Sequence, residues 1–236
     1  DGGIPEKRPA VDTWEPYQHR RPTQKEIEEW FYTGAAFNIG VIGGQVSGNL
    51  VVLDFEDKKI AYKLFGKTIG KETFVVQSGS GKGLHIYWRT QYPVRKFKIA
   101  ELALDVQGEG SYVAAPPSIH PSGKQYETEK FQNQPVAKWK GDDFEEDLYA
   151  LIQEKKVVKD FDPQKHRQPV DAVKLLEGGL PEGERNEAAI RLATWYRRAG
   201  KTQEEAEKEL TMWNEKNSDG GIPEKRPAVD TWEPYQ

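Results

Sequence analysis

The sequence contains no cysteine and a single methionine, and both shortages narrow what the protein can be. Without thiols the chain cannot form disulfides, build a thiolate zinc site or use a cysteine nucleophile. A chain that needs none of these suits the reducing cytoplasm, which we expect as its location. The methionine is not at position 1, which indicates a fragment or a processed chain.

Long apolar runs and a strong charge of either sign are also missing. No stretch approaches the roughly 20 apolar residues that span a bilayer, and no signal-peptide pattern opens the chain, so we predict no membrane contact. The net charge is -4, whereas nucleic-acid-binding domains are usually basic. A local basic cluster can still follow a phosphate backbone. Its members are Arg89, Arg95, Lys96 and Lys98.

The two ends of the chain are identical. Residues 1–18, DGGIPEKRPAVDTWEPYQ, recur without change as residues 219–236. Repeat proteins stack several similar units, whereas one perfect copy at each end favours a permutation or numbering feature over a functional repeat. We expect one copy to pack on the core, because two copies cannot fill the same place.

The first two thirds of the chain mixes strands and helices without strict βαβ alternation, which predicts an α+β fold. A capping box of Thr23 and Glu26 opens the first helix. Strands are predicted at 37–42, 50–55, 73–77, 84–89, 102–106, 111–115 and 125–128, and further helices at 58–65 and 142–153. We expect a turn at 43–48 to join the first two strands, and 102–106 to pair with 111–115.

The remainder is predicted to be helical. Helices are expected at 170–176, at 185–199 and after Thr202, where Glu205 completes another capping box. The polar, basic segment before them contains prolines and is predicted to be a linker. The predicted organisation is a catalytic domain at 1–160, a linker at 161–169, a helical bundle at 170–218 and the repeated end at 219–236.

Three acids follow apolar strand residues. Asp54 and Glu56 end the segment VVLDFE, and Asp105 ends LALDV. Alternate residues of a strand share a face, so Asp54 and Glu56 can act together, and Asp105 joins them if the two strands are neighbours. Three carboxylates at one sheet edge suit Mg²⁺, which prefers hard oxygen ligands. The alternative is a strand that ends in a solvated acidic turn.

The segment SGSGKG, residues 78–83, leads into a strand that carries His85. It lacks the Walker A spacing and precedes a strand rather than a helix. Its glycines and Lys82 can cradle phosphate through backbone N–H groups. The alternatives are a glycine-rich hairpin turn and a structural histidine.

These motifs in this order resemble the prim-pol family of the archaeo-eukaryotic primase superfamily, and are most similar to primase-polymerases of archaeal plasmids and mobile elements. The resemblance is carried by VVLDFE, SGSGKGLHIYW and LDVQGEGSYVAAPPSIHPSGKQY, and covers most of residues 5–128. It implies an RRM-like core with a mixed or antiparallel sheet. It also implies template-directed nucleotidyl transfer with Mg²⁺ or Mn²⁺ at two sites, using a single-stranded DNA template, a primer and NTP or dNTP.

Residue by residue, the resemblance implies that Asp54, Glu56 and Asp105 are catalytic metal ligands and that His85 contacts the incoming triphosphate. Many relatives have serine two positions before that histidine, where this chain has Gly83, so Lys82 or Ser80 is expected to supply the contact. Ser118 and His120 are further candidates for nucleotide contacts. Some relatives carry a zinc-binding insert, but no zinc is expected here because the chain has no cysteine.

The tail resembles the helical domains that follow prim-pol cores and help to bind the template. The implied template contacts are Arg185, Asn186, Arg191, Arg197 and Arg198; solvated arginines on an amphipathic helix are the alternative. The sequence leaves open whether a helicase domain follows in a longer protein.

Two other functions compete with the polymerase. One is a non-catalytic single-stranded DNA-binding module whose aromatic residues stack bases, and the other is a metal-dependent nuclease that uses the same acids.

Overall fold

The structure is a computed structural model that describes residues 9–32, 38–128, 134–141, 143–166, 175–176 and 185–217. It divides the chain into two compact units, Asp1–Arg167 and Gln168–Gln236. The mixture of helices and mainly antiparallel strands confirms the predicted α+β class. Within the described residues, none of the helices has the length and apolar character needed to span a membrane.

The first unit is built on a six-stranded sheet with β2 (Leu50–Phe55) at its centre. Antiparallel neighbours flank it on both sides, and the order on this path is β3-β4-β2-β6-β5. The flanking strands are β3 (Val75–Gln77), β4 (Leu84–Arg89), β5 (Phe97–Ile99) and β6 (Leu104–Gln107). A short β8 (Ala137–Lys138) runs parallel to β4. A separate antiparallel pair consists of β1 (Ile39–Ile42) and β7 (Tyr112–Ala115).

The described part of the first unit also contains helices. They are α1 (Gln24–Phe31), α2 (Lys58–Phe65), α3 (Ile69–Glu72) and α4 (Phe144–Glu154). The predicted capping box at the start of α1 is confirmed, since the Thr23 hydroxyl accepts from the Glu26 N–H and the Glu26 carboxylate accepts from the Thr23 N–H. These contacts satisfy first-turn donors that have no partner within the helix.

The alternation of side chains gives the sheet two different faces. Val51, Leu53 and Phe55 of β2 belong to the larger core, together with residues of α2 and α4. Leu50 and Val52 point to the other face, where a smaller apolar cluster includes Tyr87 and Val113. Asp54 has the same parity as Leu50 and Val52, so the candidate site lies on the face with the smaller cluster.

One predicted strand pairing was wrong. The segments at 102–106 and 111–115 do not form a hairpin, because the residues between them bond elsewhere: Glu109 N–H donates to Val94 O at 2.7 Å. The strand β7 pairs with β1, and β6 pairs with β2 and β5. Consequently β1 and β2 are not partners of each other, although a turn region connects them.

The predicted strand at 125–128 is reduced to isolated bridges, one of which joins Glu127 to Gln77. The strand β5 was not predicted from the sequence. It covers a short segment in which the buried Phe97 and Ile99 alternate with the exposed Lys98.

Segments near both ends of the first unit pack against the rest of that unit. Phe161 is buried in its core, and Tyr149 Oη donates to His166 O at 2.9 Å. Phe161 and His166 belong to the segment predicted as a linker. Near the start of the chain, the Trp14 ring lies 5.0 Å from the Tyr112 ring. The repeated end at 219–236 lies outside the described residues.

The second unit contains α5 (Arg185–Arg198) and α6 (Gln203–Asn217). The predicted capping box is confirmed: Thr202 N–H donates to Glu205 Oε2 at 2.8 Å. Ala206, Leu210 and Trp213 point inward as predicted and form a core with Leu192 and Tyr196. Most of the helix predicted at 170–176 lies outside the described residues.

Candidate active site

The candidate site is a row of paired residues that crosses four strands. Asp54 of β2 lies opposite His85 of β4 on one side and opposite Asp105 of β6 on the other. Asp105 in turn lies opposite Lys98 of β5. Directly opposed residues in antiparallel strands project from the same face. The register therefore brings together four charged or polar side chains that are far apart in the sequence.

The histidine in this row is buried beside the first acid. His85 Nε2 lies 3.2 Å from Asp54 Oδ1, and the histidine side chain is 5% exposed while that of Asp54 is 32% exposed. The Tyr126 ring packs against the imidazole with its centroid 5.5 Å away. Nδ1 is buried and has no hydrogen-bond partner among the described residues. A buried polar atom of this kind is unfavourable unless a ligand or water satisfies it.

Lys98 supplies the positive charge at the other end of the row. Its Nζ donates to Asp105 Oδ2 at 2.8 Å, although the lysine side chain is 75% exposed. The hydrogen bond and charge of Asp105, with further contributions from Glu56 and Asp54, raise the pKa of Lys98. The carboxylate of Glu56 is thus close enough to act on the same ammonium group, although it follows the last residue of β2.

Lys98 was recognised in the sequence only as part of a basic cluster. The alternation KFKI could have indicated its strand, since apolar and charged residues alternate there. Its pairing with Asp105 could not be read from this pattern, because the register between β5 and β6 depends on the whole sheet.

The three acids fit a divalent cation in chemistry, since carboxylate oxygens are the donors that Mg²⁺ and Mn²⁺ prefer. Their present partners are different: Asp54 contacts His85, and Asp105 contacts Lys98. In the part of the chain that the structure describes, no three side chains of the metal-ligating types form a group that could hold a metal ion. A bound cation would therefore compete with Lys98 for Asp105.

The loop at residues 78–83 connects β3 to β4, and its last residue lies two positions before His85. Its serines bond within the loop: Ser78 Oγ lies 3.1 Å from Ser80 Oγ, and Lys82 N–H donates to Ser80 Oγ at 3.2 Å. The Lys82 side chain is exposed and forms no ion pair among the described residues. At Gly83 an added Cβ would lie 2.6 Å from Phe55 O, so the loop packs tightly on the end of β2.

The two other predicted nucleotide contacts differ in their surroundings. His120 belongs to a turn that touches the loop, where Ser122 Oγ donates to Gly79 O at 2.9 Å. The Tyr126 ring lies between the two histidines, 5.8 Å from that of His120. Ser118 is buried, and its hydroxyl accepts from Ile39 N–H at 2.8 Å. That contact joins β1 to the loop after β7, which is a structural role.

The five predicted template contacts share one helix of the second unit, α5. Arg191 and Arg197 are partly buried. The side chains of Arg185, Asn186 and Arg198 lie outside what the structure describes.

Comparison with known families decides the identity of this arrangement. Residues 3–140 match the family model described as "Bifunctional DNA primase/polymerase, N-terminal", or Prim-Pol. The chain belongs to the prim-pol family. The acids, the glycine-lysine loop and the histidine row all fall within this prim-pol match. Residues 173–225 match a second model, described as "Primase C terminal 1 (PriCT-1)", which includes α5 and α6. Among curated proteins, no match to this prim-pol chain was found.

The two matches assign the prim-pol chain a role of the primase or polymerase type in DNA replication. Domains of this type act on DNA and nucleotides. The family match also confirms the resemblance seen in the sequence, whereas the similarity to archaeal plasmid proteins stays a prediction.

Proposed function

We propose that the chain is a metal-dependent DNA primase-polymerase that joins nucleotides on a single-stranded template, in the replication of a plasmid or mobile element. The observation that carries this proposal is the pairing of Asp105 with Asp54 across the central strands, inside the prim-pol match. In the reaction, the 3′-hydroxyl of a primer or of an initiating nucleotide attacks the α-phosphate of a bound nucleotide. The bond to the departing pyrophosphate breaks as the new phosphodiester forms.

Asp54, Glu56 and Asp105 would hold one or two Mg²⁺ or Mn²⁺ ions. When bound, such ions neutralise charge on the transferred phosphate and favour an ionised attacking hydroxyl. The protein contributes to the rate through the rigidity of the row, because the hydrogen-bonded strands fix the positions of the carboxylates. Positioning and charge neutralisation are the main sources of rate in phosphoryl transfer.

His85 and Lys82 would bind the triphosphate. His85 Nε2 faces Asp54 Oδ1 at 3.2 Å, so Nδ1 is the ring nitrogen that is left for the triphosphate, and it is only an acceptor when Nε2 carries the single proton. The doubly protonated ring carries a second N–H that can donate to an anionic phosphate oxygen. Lys82 lies three positions earlier, at the exposed end of the loop, where its ammonium can reach a phosphate without being desolvated.

The proposal is tested with a labelled primer-template and with a bare single strand, each incubated with nucleotides in the presence and absence of Mn²⁺. We expect the primer to be extended, and new primers to be made on the single strand, only with Mn²⁺. The labelled strand with Mn²⁺ and no nucleotides should stay intact, because cleavage there would identify a nuclease instead. Metal-independent binding without any extension would identify a binding module.

Lys98 provides a separate prediction about the metal. The neighbouring carboxylates raise the pKa of Lys98, so its ammonium stays charged at neutral pH and competes with a cation for Asp105. We expect Lys98→Gln to tighten Mn²⁺ binding about fivefold, because one competing charge beside Asp105 is removed. The free Mn²⁺ in a titration is measured by electron paramagnetic resonance. Lys71→Gln on α3 removes an exposed charge elsewhere and should leave binding unchanged. Weaker binding by the Lys98 variant would contradict competition.

A further inference from the structure

The first unit has a pocket of about 760 Å³ on the same face of the sheet as the candidate active site. This size lies within the range of small-ligand sites, about 300–1,000 Å³. Leu50 of β2 and Tyr87 of β4 line it, and they share their strand faces with Asp54 and His85. Residues of β1, β7 and α1 complete its walls.

The pocket combines apolar walls with two cations. Ile27, Val41 and Phe74 are among the apolar side chains that line it, and its charged residues are Arg21 and Arg89, with no carboxylate. Neither arginine forms an ion pair within the described part of the chain, and both are exposed. Two uncompensated guanidinium groups beside an apolar cavity suit a ligand with a flat apolar body and an anionic group.

Both arginines are held in place by the same loop. Arg89 Nη1 donates to the carbonyls of Ser47 and, at 3.0 Å, Gly48. Arg21 Nε donates to Val46 O at 3.4 Å. The other N–H groups of these two guanidinium groups have no hydrogen-bond partner among the described residues. The loop therefore fixes the direction of both cations while leaving donors free for a ligand.

Tyr87 separates the pocket from the catalytic row. Its ring lines the pocket and lies 6.5 Å, centroid to centroid, from the ring of His85. Its hydroxyl is buried and has no hydrogen-bond partner in the part of the first unit that the structure describes. Burial, with the charges of Asp54 and Tyr126, raises the pKa of Tyr87, so the hydroxyl lies within electrostatic reach of the catalytic acid. The pocket and the row are thus neighbouring sites with one shared wall.

We propose that this pocket binds one nucleotide, with the base between the apolar walls and the phosphate on Arg21 and Arg89. The inference rests on the proposed function, because a nucleotide is the ligand with a flat base and an anionic group that a polymerase must place beside its catalytic row. Two sources share this chemistry: a nucleotide of the single-stranded template next to the reacting one, and a free nucleotide that starts a primer.

The test measures two affinities of the full chain. One is for a fluorescein-labelled oligothymidine strand, by fluorescence anisotropy, and the other is for ATP, by calorimetry. We expect the double variant Arg21→Gln, Arg89→Gln to weaken one of them about tenfold or more, since both phosphate contacts are lost. For a template nucleotide, the slope of log affinity against log salt should also fall by about 0.7 for each lost contact. A change in the strand alone identifies a template nucleotide, and a change in ATP alone identifies a free one.

A second variant tests whether the arginine substitutions act only by disturbing the loop at residues 46–48, to which both arginines donate. Thr128→Trp places an indole in the pocket without removing either arginine, and we expect it to weaken the same affinity. The double variant Lys67→Gln, Lys71→Gln is the charge-matched control, because it removes two exposed cations away from the pocket, and it should bind as the wild type does. Unchanged affinities for both ligands in both pocket variants would overturn the proposal. Primer extension is followed in the same preparations: weakened binding without extension by any protein would uphold the pocket and remove the polymerase.

Discussion

Replacing Asp54 by asparagine should lower the rate of primer extension by at least about a hundredfold while the fold is kept. Asparagine has the same shape but carries no charge, so it can neither hold a divalent cation strongly nor contribute to charge neutralisation. Asp54 is also the residue that connects the two halves of the row, since it lies opposite both His85 and Asp105. The rate is measured with saturating primer-template and nucleotide, so that a change in binding does not contribute.

The retained fold is checked by thermal unfolding. The Asp54 side chain is partly exposed, and asparagine fills the same volume, so the substitution changes the contact with His85 without creating a cavity. We expect the melting temperature to change by only a few degrees. Glu72→Gln on α3 removes an exposed acid on the helical side and should extend primers at the wild-type rate. Extension by the Asp54 variant at a rate close to that of the wild type would exclude the proposed role of the row.

Introducing serine at Gly83, the residue that the family resemblance led us to expect there, should impair this chain rather than restore a contact. An added Cβ would lie 2.6 Å from Phe55 O, and a backbone carbonyl cannot move without moving its strand. Phe55 lies between Asp54 and Glu56, so the clash displaces two catalytic acids together. Overpacking of this kind costs about 1–3 kcal/mol of stability, and displacement of the acids should slow extension about tenfold to a hundredfold.

The matched control for this prediction is Gly40→Ser. Gly40 lies in β1, where an added Cβ meets only the Tyr112 ring at 3.4 Å, which is ordinary contact. We expect this variant to extend primers and unfold as the wild type does. A Gly83→Ser protein with wild-type stability and rate would show that the loop can move away from β2 at no cost.

Local signals predicted the elements around the site well. The strands at 50–55 and 84–89 and the helix at 58–65 have the predicted bounds. Each is a compact apolar or amphipathic run next to a glycine, a proline or a helix-capping residue, and such signals depend only on neighbours in the sequence. Both capping boxes were predictable for the same reason. A hydroxyl and a carboxylate three residues apart can each accept a hydrogen bond from the backbone N–H of the other residue within one turn.

Pairings between distant segments were not predictable in this way. The sequence suggested that β6 and β7 form a hairpin, but Glu109 bonds to Val94 and the two strands separate to different sheets. Lys98 could not be recognised as a site residue for a related reason, because its contact with Asp105 depends on the register of an edge strand. The pocket beside Tyr87 is assembled from elements throughout the first unit, and no single segment carries its pattern.

The last described residues of the first unit contact a turn that lies next to two residues of the candidate site. His166 Nε2 lies 3.2 Å from Glu101 Oε1, and Glu101 belongs to the short turn between β5 and β6. Those two strands carry Lys98 and Asp105. The contact between His166 and Glu101 therefore anchors the last described residues of the first unit on the turn that connects the strand of the lysine to the strand of its aspartate partner.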